Sequence, residues 1–161
     1  MVETNTPISN RVDELESVLL NTFPKANCPV THKFLPGMYV RCIFMPAGSV
    51  VTSLIHKTTH PYFILQGMVT VFSETHGEEI LQSPYIGITT PGTRRVITVL
   101  EDTVWATVHL TDIQPENDSE EAIEAAVEKI GSVIIEPHVN PYLGGRVKNN
   151  IITSNLIQDE A

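Results

Sequence analysis

Residues 46–67 read PAGSVVTSLIHKTTHPYFILQG. Turn chemistry brackets the stretch, with Pro46-Ala47-Gly48 at its start and Gln66-Gly67 at its end. Proline presets φ and glycine reaches positive φ, which is what tight turns require. Between the brackets lie two runs rich in Val, Ile, Tyr and Phe, residues 49–56 and 61–65, separated by Lys57-Thr58-Thr59. That is the pattern of two short strands joined by a turn. The same pattern extends both ways and predicts further strands at 38–45, 68–73, 79–82, 85–89, 95–100 and 103–110, with breaks at His76-Gly77 and Pro91-Gly92. Eight short strands with no helix between them cannot build βαβ units. They predict a mainly β sandwich or double-sheet jelly roll.

Helical spacing appears only in the flanks. Residues 10–22 place Val12, Leu15 and Leu19 on one face behind a capping Asn10, and Pro24 closes the segment. Residues 118–130 form a second amphipathic pattern, with Asp118 and Glu121 as a capping box, Ile123, Val127 and Ile130 as the stripe, and Gly131 as the stop. Its acid run reads as a solvated helix face. Beyond it, Pro137, Pro141 and Gly144-Gly145 mark an irregular arm that packs on the barrel or on a partner subunit. The chain thus divides into a lead-in (1–30), a β-barrel (31–113) and a C-terminal helix with an extended arm (114–161).

A chain of 161 residues suits one domain with appendages. Its net charge of −9 is uneven: residues 30–111 hold five acids and five bases, and the excess lies in the flanks. Phosphate backbones need clustered Lys and Arg, so nucleic acid is not the expected partner. No run approaches the ~20 apolar residues that cross a bilayer, and the N-terminus lacks a basic-then-apolar leader, so a cytoplasmic protein without membrane contact is expected. Cys28 and Cys42 lie outside any C-x-x-C pattern and read as small buried hydrophobes.

The stretch 46–67 resembles the first motif of the cupins, G-x5-H-x-H-x3-E-x6-G, anchored without a gap on Gly48 and Gly67. The second motif, P-x-G-x2-H, is similar to Thr90-Pro91-Gly92-Thr93-Arg94-Arg95. The resemblance covers about residues 36–111 and, in overall wording, is to small cupins encoded by tailed bacteriophages and bacteria. It implies a double-stranded β-helix, a pocket in the barrel, and a metal held by three His and one Glu. Here Leu54 stands at the first His position, His56 at the second, His60 at the Glu position and Arg95 at the last His. Leucine and arginine cannot ligate a cation, and a guanidinium repels one. The expectation is therefore no cofactor or a single divalent metal ion, the latter on His56, His60 and, from the last strand, His109.

Strand alternation turns Arg95 into the barrel, where a buried Arg must be paired. It can fork onto a ligand carboxylate or phosphate, or form an internal salt bridge with Glu101 or Asp102, or yield the inward place to Arg94. His56 and His60 flank the Lys57–Thr59 turn and can bind metal, hydrogen-bond an anion or exchange protons. Tyr39 and Arg41 alternate on one strand and extend the polar rim. Of the aromatic residues Tyr62, Phe63, Phe72, Tyr85 and Trp105, most belong to the core, and Trp105 faces the cavity with Thr107 and His109. Lys57 is expected in solvent, and His32, His76 and His138 carry no expected role.

Three functions fit these residues. One is a binding module for a small anionic molecule (a phosphorylated metabolite, nucleotide or carboxylate) at Arg95, Arg94, His56, His60, Tyr39, Arg41 and Trp105, serving if phage-encoded to sequester it. Another is a metal-dependent isomerase or oxygenase on His56, His60 and His109. The last is a structural protein whose acidic helix and arm drive assembly. Exposed sheet edges predict a homodimer or higher homo-oligomer, with exchange through the terminal segments.

Overall fold

Alternation of side chains sorts the barrel into an inside and an outside. The computed structural model describes residues 8–74, 76–137, 139–143, 145–146 and 152–155. Strands β1 (Val30–Leu35), β2 (Met38–Met45), β3 (Ser49–Thr52), β4 (His60–Gln66), β5 (Met68–Ser73), β6 (Gly77–Gln82), β7 (Tyr85–Thr89), β8 (Arg95–Val99) and β9 (Thr103–Leu110) follow one another without an intervening helix. They form two sheets of antiparallel neighbours, β1-β2-β9-β4-β7 and β3-β8-β5-β6. From β2 onward the chain crosses repeatedly between the sheets. This is a double-sheet jelly roll.

The inward residues fill the space between the sheets. Ile43, Met45, Val51, Ile64, Val69 and Ile97 form the main core together with Trp105. Gly67 ends β4 at a register shift and is required there. Its φ is +93°, and a Cβ would run into the Asp102 carbonyl. Gly87 on β7 leaves room for the Tyr62 ring, which a Cβ would strike.

Several expectations change at the edges. The strand expected at 49–56 ends at Thr52, although Ser53 N–H still bonds to the Arg95 carbonyl at 2.9 Å. Strand β1 was not expected. Its Thr31, Lys33 and Leu35 face outward and dilute the pattern. The arm is not wholly irregular, since Val139–Asn140 pairs with Gly145–Arg146 and Ile152–Asn155 joins the edge of β3. Phe72 is exposed on the barrel exterior, not in the core. Among the described residues Cys28 and Cys42 form no disulfide, and each is half-buried.

The N-terminal helix α1 (Ile8–Thr22) begins before Asn10, which therefore does not cap it. It buries Val12 and Leu19 as expected, and also Asp13 and Glu16. Those two acids meet Arg94, which donates to Asp13 Oδ1 and Glu16 Oε1, both at 2.6 Å. Glu16 further accepts from Thr52 Oγ1 at 2.8 Å and from Asn140 Nδ2 at 2.9 Å. Buried charges need such pairing, and this cluster binds helix, barrel and arm together.

Helix α2 spans Glu120–Ile134. Its N-cap is Ser119, whose Oγ accepts from Ala122 N–H at 3.2 Å, so the expected box on Asp118 does not form. Gly131 does not stop it: the glycine is buried within the helix, which continues another turn because Ile130 and Ile134 both reach apolar partners. Backbone bonds from Lys57 N–H to the Ile134 carbonyl (2.7 Å) and from Glu136 N–H to the Ile55 carbonyl (2.9 Å) fasten its end to the barrel.

Candidate functional site

Inward alternation on β2 and β9, the start of β4 and β8, and the segment after β3 converge on one cavity of about 110 Å³. Its polar wall carries Tyr39, Arg41, His56, His60, Arg95 and His109, with Ser53, Thr89 and Thr107 between them. Its apolar wall includes Leu54, Ile97 and Trp105 from the barrel, and Val127, Ile130 and Ile134 from α2. The helix closes one side of the cavity, so the pocket belongs to the barrel and the C-terminal segment jointly.

Arg95 points inward and donates to Thr89 Oγ1 at 2.9 Å. Its guanidinium lies 4.8 Å from the centre of the Tyr62 ring, which stacks on Trp105 at 4.5 Å. Neither Glu101 nor Asp102 pairs with it, and Asp102 instead accepts from Ala47 N–H at 2.9 Å. Burial pulls the pKa of Arg95, and that of Arg41, down from the ordinary guanidinium value. Among the described residues neither arginine forms a salt bridge. Arg94 does not line the cavity. One residue out of register with Arg95, it faces α1 and is held there by Asp13 and Glu16.

The three pocket histidines sit together. Ring centres are 4.7 Å apart for His56 and His60, 4.4 Å for His60 and His109, and 6.0 Å for His56 and His109. Burial is the main cause that brings His56 down to about 4 and His109 to about 3, with the neighbouring imidazoles and Arg41 acting the same way. His60 is lowered as well, chiefly by burial. All three are neutral near pH 7. His60 Nδ1–H donates to the Thr58 carbonyl at 3.2 Å, which leaves its Nε2 as an acceptor. His109 Nε2 shares a hydrogen bond with Thr107 Oγ1 at 3.0 Å, while its Nδ1 is buried without a partner.

Sequence reasoning missed His32, which shares a 2.5 Å hydrogen bond from its Nδ1 with the Tyr39 hydroxyl. Tyr39 in turn stacks near His109, with centres 5.8 Å apart. Burial raises the Tyr39 phenol to about 12, so it stays protonated. Its place is the buried wall of the cavity, not an outer rim. Only pairing of β1 with β2, which sets His32 opposite Arg41, would have exposed this link. His76 is exposed and His138 lies outside the described residues.

A divalent cation would have to share these groups with two arginines. Among the described residues no three His, Cys, Asp or Glu side chains are disposed to hold a metal ion. His56, His60 and His109 are close, and the hydrogen bonds of His60 to a carbonyl and of His109 to a hydroxyl leave a second nitrogen on each ring. Two guanidiniums share the cavity, and its wall contains no carboxylate to offset them. That electrostatic balance favours an anion over a cation.

No protein-family profile matches the chain, and no curated protein is similar to it. The chain is similar at a low level to several solved structures. A cupin superfamily protein from Desulfitobacterium hafniense has 13% identity and a TM-score of 0.45, over 55% of this chain and 82% of that one. Ectoine synthase from P. lautus has 8% identity and a TM-score of 0.45, over 56% and 70%. KdgF from Halomonas sp. has 16% identity and a TM-score of 0.44, over 54% and 81%. Similarity at this level says nothing of ligand, activity or a phage origin. Among the described residues no helix is long and apolar enough to cross a membrane.

Proposed function

We propose that the protein is a binding module whose barrel pocket takes up one small hydroxylated carboxylate. The observation that carries this reading is the composition of the wall: Arg41 and Arg95, three neutral histidines, and no Asp or Glu. Guanidinium is the side chain best matched to a carboxylate, through two parallel hydrogen bonds. A cationic cavity whose arginines form no salt bridge among the described residues is satisfied by an anion entering from solution.

Size narrows the class. A cavity of about 110 Å³ is smaller than the ~150 Å³ site that holds benzene in an engineered core. A nucleotide or sugar phosphate therefore fits less well than a carboxylate of a few carbons, whose chain would lie against Leu54, Ile97, Ile130 and Ile134. The buried Nδ1 of His109 supplies the remaining feature. A hydroxyl both donates and accepts, so it satisfies that nitrogen in either neutral tautomer.

Binding and release of such a molecule in the cytoplasm needs no chemistry beyond this pocket, and sequestration by a phage-encoded copy would need none either. The test is calorimetric titration of untagged protein with butyrate, 4-hydroxybutyrate, butyramide and inorganic phosphate. The acids should bind and the amide should not, and Arg95→Gln should weaken binding by roughly tenfold or more. Equal binding of acid and amide, or an unaffected Arg95→Gln, overturns the reading. Near-stoichiometric Fe, Mn, Zn or Ni in that same preparation would replace it with a metal-dependent isomerase or oxygenase on His56, His60 and His109.

A further inference from the structure

The cavity wall carries two permanent cations, and they stand on different sheets. Arg41 is on β2 of the β1-β2-β9-β4-β7 sheet, and Arg95 is on β8 of the other sheet. Arginine keeps its charge at neutral pH, and the three neutral histidines add none. One carboxylate would cancel half of the charge that the wall presents. It would leave a second guanidinium away from water without an anion, an arrangement that folded proteins avoid.

Register sets the two charges at opposite ends of the cavity. Inward-facing residues form a row across the first sheet, with Arg41 opposite Thr107, Thr107 opposite Tyr62, and Tyr62 opposite Gly87. Arg41 begins the row on β2. Arg95 reaches in from the other sheet and sets its head at the far end. There it donates to Thr89 Oγ1 of β7 at 2.9 Å and lies 4.8 Å from the centre of the Tyr62 ring. That ring leans toward β7, since a Cβ on Gly87 would strike it. In the order β2-β9-β4-β7 the outer strands are three spacings apart, roughly 14 Å of backbone at ~4.8 Å each. Side chains take up part of that span, and a small ligand with a charge at each end takes up the rest.

The two heads also differ in their company. Among the described residues Arg41 has neither a salt bridge nor a hydrogen-bonded side chain. After burial, the groups that act on its charge are Tyr39 and Cys42, with no carboxylate among them. Arg95 has Thr89, the face of Tyr62 and, as the weakest influence on it, Glu79 from outside the cavity wall. Burial is the first cause of the low histidine values, and the arginines divide a smaller part. Arg41 acts on His109, Arg95 acts on His60, and both act on His56. His56 therefore stands between the two charges.

We infer that Arg41 is a second carboxylate subsite, and that the pocket takes a short dicarboxylate with one end on Arg95 and the other on Arg41. This rests on the anion-binding reading of the same cavity and adds to it a second charge and a length. The hydroxyl assigned to His109 then falls on the carbons between the ends. His109 and Thr107 stand on β9, which lies between β2 and β4 in the sheet. Ile130 and Ile134 of α2 close over those carbons. A phosphate dianion carries the same charge at a single centre and meets only one end.

Calorimetric titration of the untagged full chain at pH 7.5 and fixed ionic strength tests this. The ligands are succinate, glutarate and their monoamides, beside butyrate and inorganic phosphate. A monoamide keeps the size of the diacid and one carboxylate but lacks the second. The better diacid should bind at least about tenfold more tightly than its monoamide. In Arg41→Gln that ratio should fall to about one. A wild-type ratio near one overturns the second subsite, whether or not any variant folds. A ratio that a folded Arg41→Gln retains overturns it as well, and so does phosphate binding as tight as that of the better diacid. If butyrate binds and the diacid gains nothing over it, the second subsite falls and the single-carboxylate reading stands. If none of the acids binds, both fall.

Discussion

Lowering the pH from 7.5 to 5 should strip this protein of a large part of its stability, and the cause lies in the pocket. An unfolded histidine titrates near 6.5, whereas His56 is held down to about 4 and His109 to about 3 in the folded chain. Below pH 6.5 the unfolded state therefore binds protons that the folded state refuses, and stability falls as pH falls. It is fully present above about 6.5, and its loss runs down to the folded values. At pH 5 each ring has lost about 1.5 pH units of this difference, which is about 2 kcal/mol per ring and about 4 kcal/mol for the two. His32 and His60, also lowered mainly by burial, act in the same direction. Against a typical total of about 5–15 kcal/mol this is a large share. Urea unfolding followed by the fluorescence of Trp105, the single tryptophan, measures it at pH 7.5, 6.5, 5.5 and 5. His56→Gln/His109→Gln should flatten most of the slope. A wild-type curve level to within about 0.5 kcal/mol, or a slope the double variant retains, would refute the reasoning.

Other outcomes follow from the same geometry. Arg94→Met leaves Asp13 and Glu16 buried without their cation and should cost about 3–5 kcal/mol in chemical denaturation, whereas Arg94→Met/Asp13→Leu/Glu16→Leu should recover much of it. Gly87→Ala should destabilise by about 1–3 kcal/mol, since its Cβ meets the Tyr62 ring, and that ring is held by Trp105. The same variant should weaken carboxylate binding, because displacing Tyr62 moves the support of Arg95. In calorimetry 4-hydroxybutyrate or a positional isomer should bind at least about tenfold more tightly than butyrate, and His109→Phe should erase the difference. Equal affinities would remove the hydroxyl from the proposal and leave the carboxylate in place.

The barrel was legible because its determinants are local. Gly48 and Gly67, the alternation of β2, β5, β7 and β9, and the turn at Pro91-Gly92 lie within a few residues of what they control. The inward places of Arg95 and His109 followed from the same alternation, whereas those of His56 and His60 came from the resemblance to the first cupin motif. What escaped depends on distant partners. Arg94 and Arg95 are adjacent, and nothing near them says which enters the cavity. The deciding acids, Asp13 and Glu16, lie 81 and 78 residues away. The stripe of α2 was readable, but not its destination over the barrel mouth, which is fixed by contacts with residues 55–57. Strand β1 hid behind a weak pattern because its outward positions face water at the sheet edge.

That destination has a consequence for how this pocket can change. Val127, Ile130, Gly131 and Ile134 touch the cavity but take no part in the ladders of the jelly roll. Enlarging or trimming them alters the room available to the carbon chain, while Arg41, Arg95 and His109 keep their places on the strands. On the proposed reading, the arginines that hold the charged end of a ligand and part of the wall that limits its bulk belong to separate parts of the chain. A lineage, or a designer, can exchange one small acid for another by editing a single helix face.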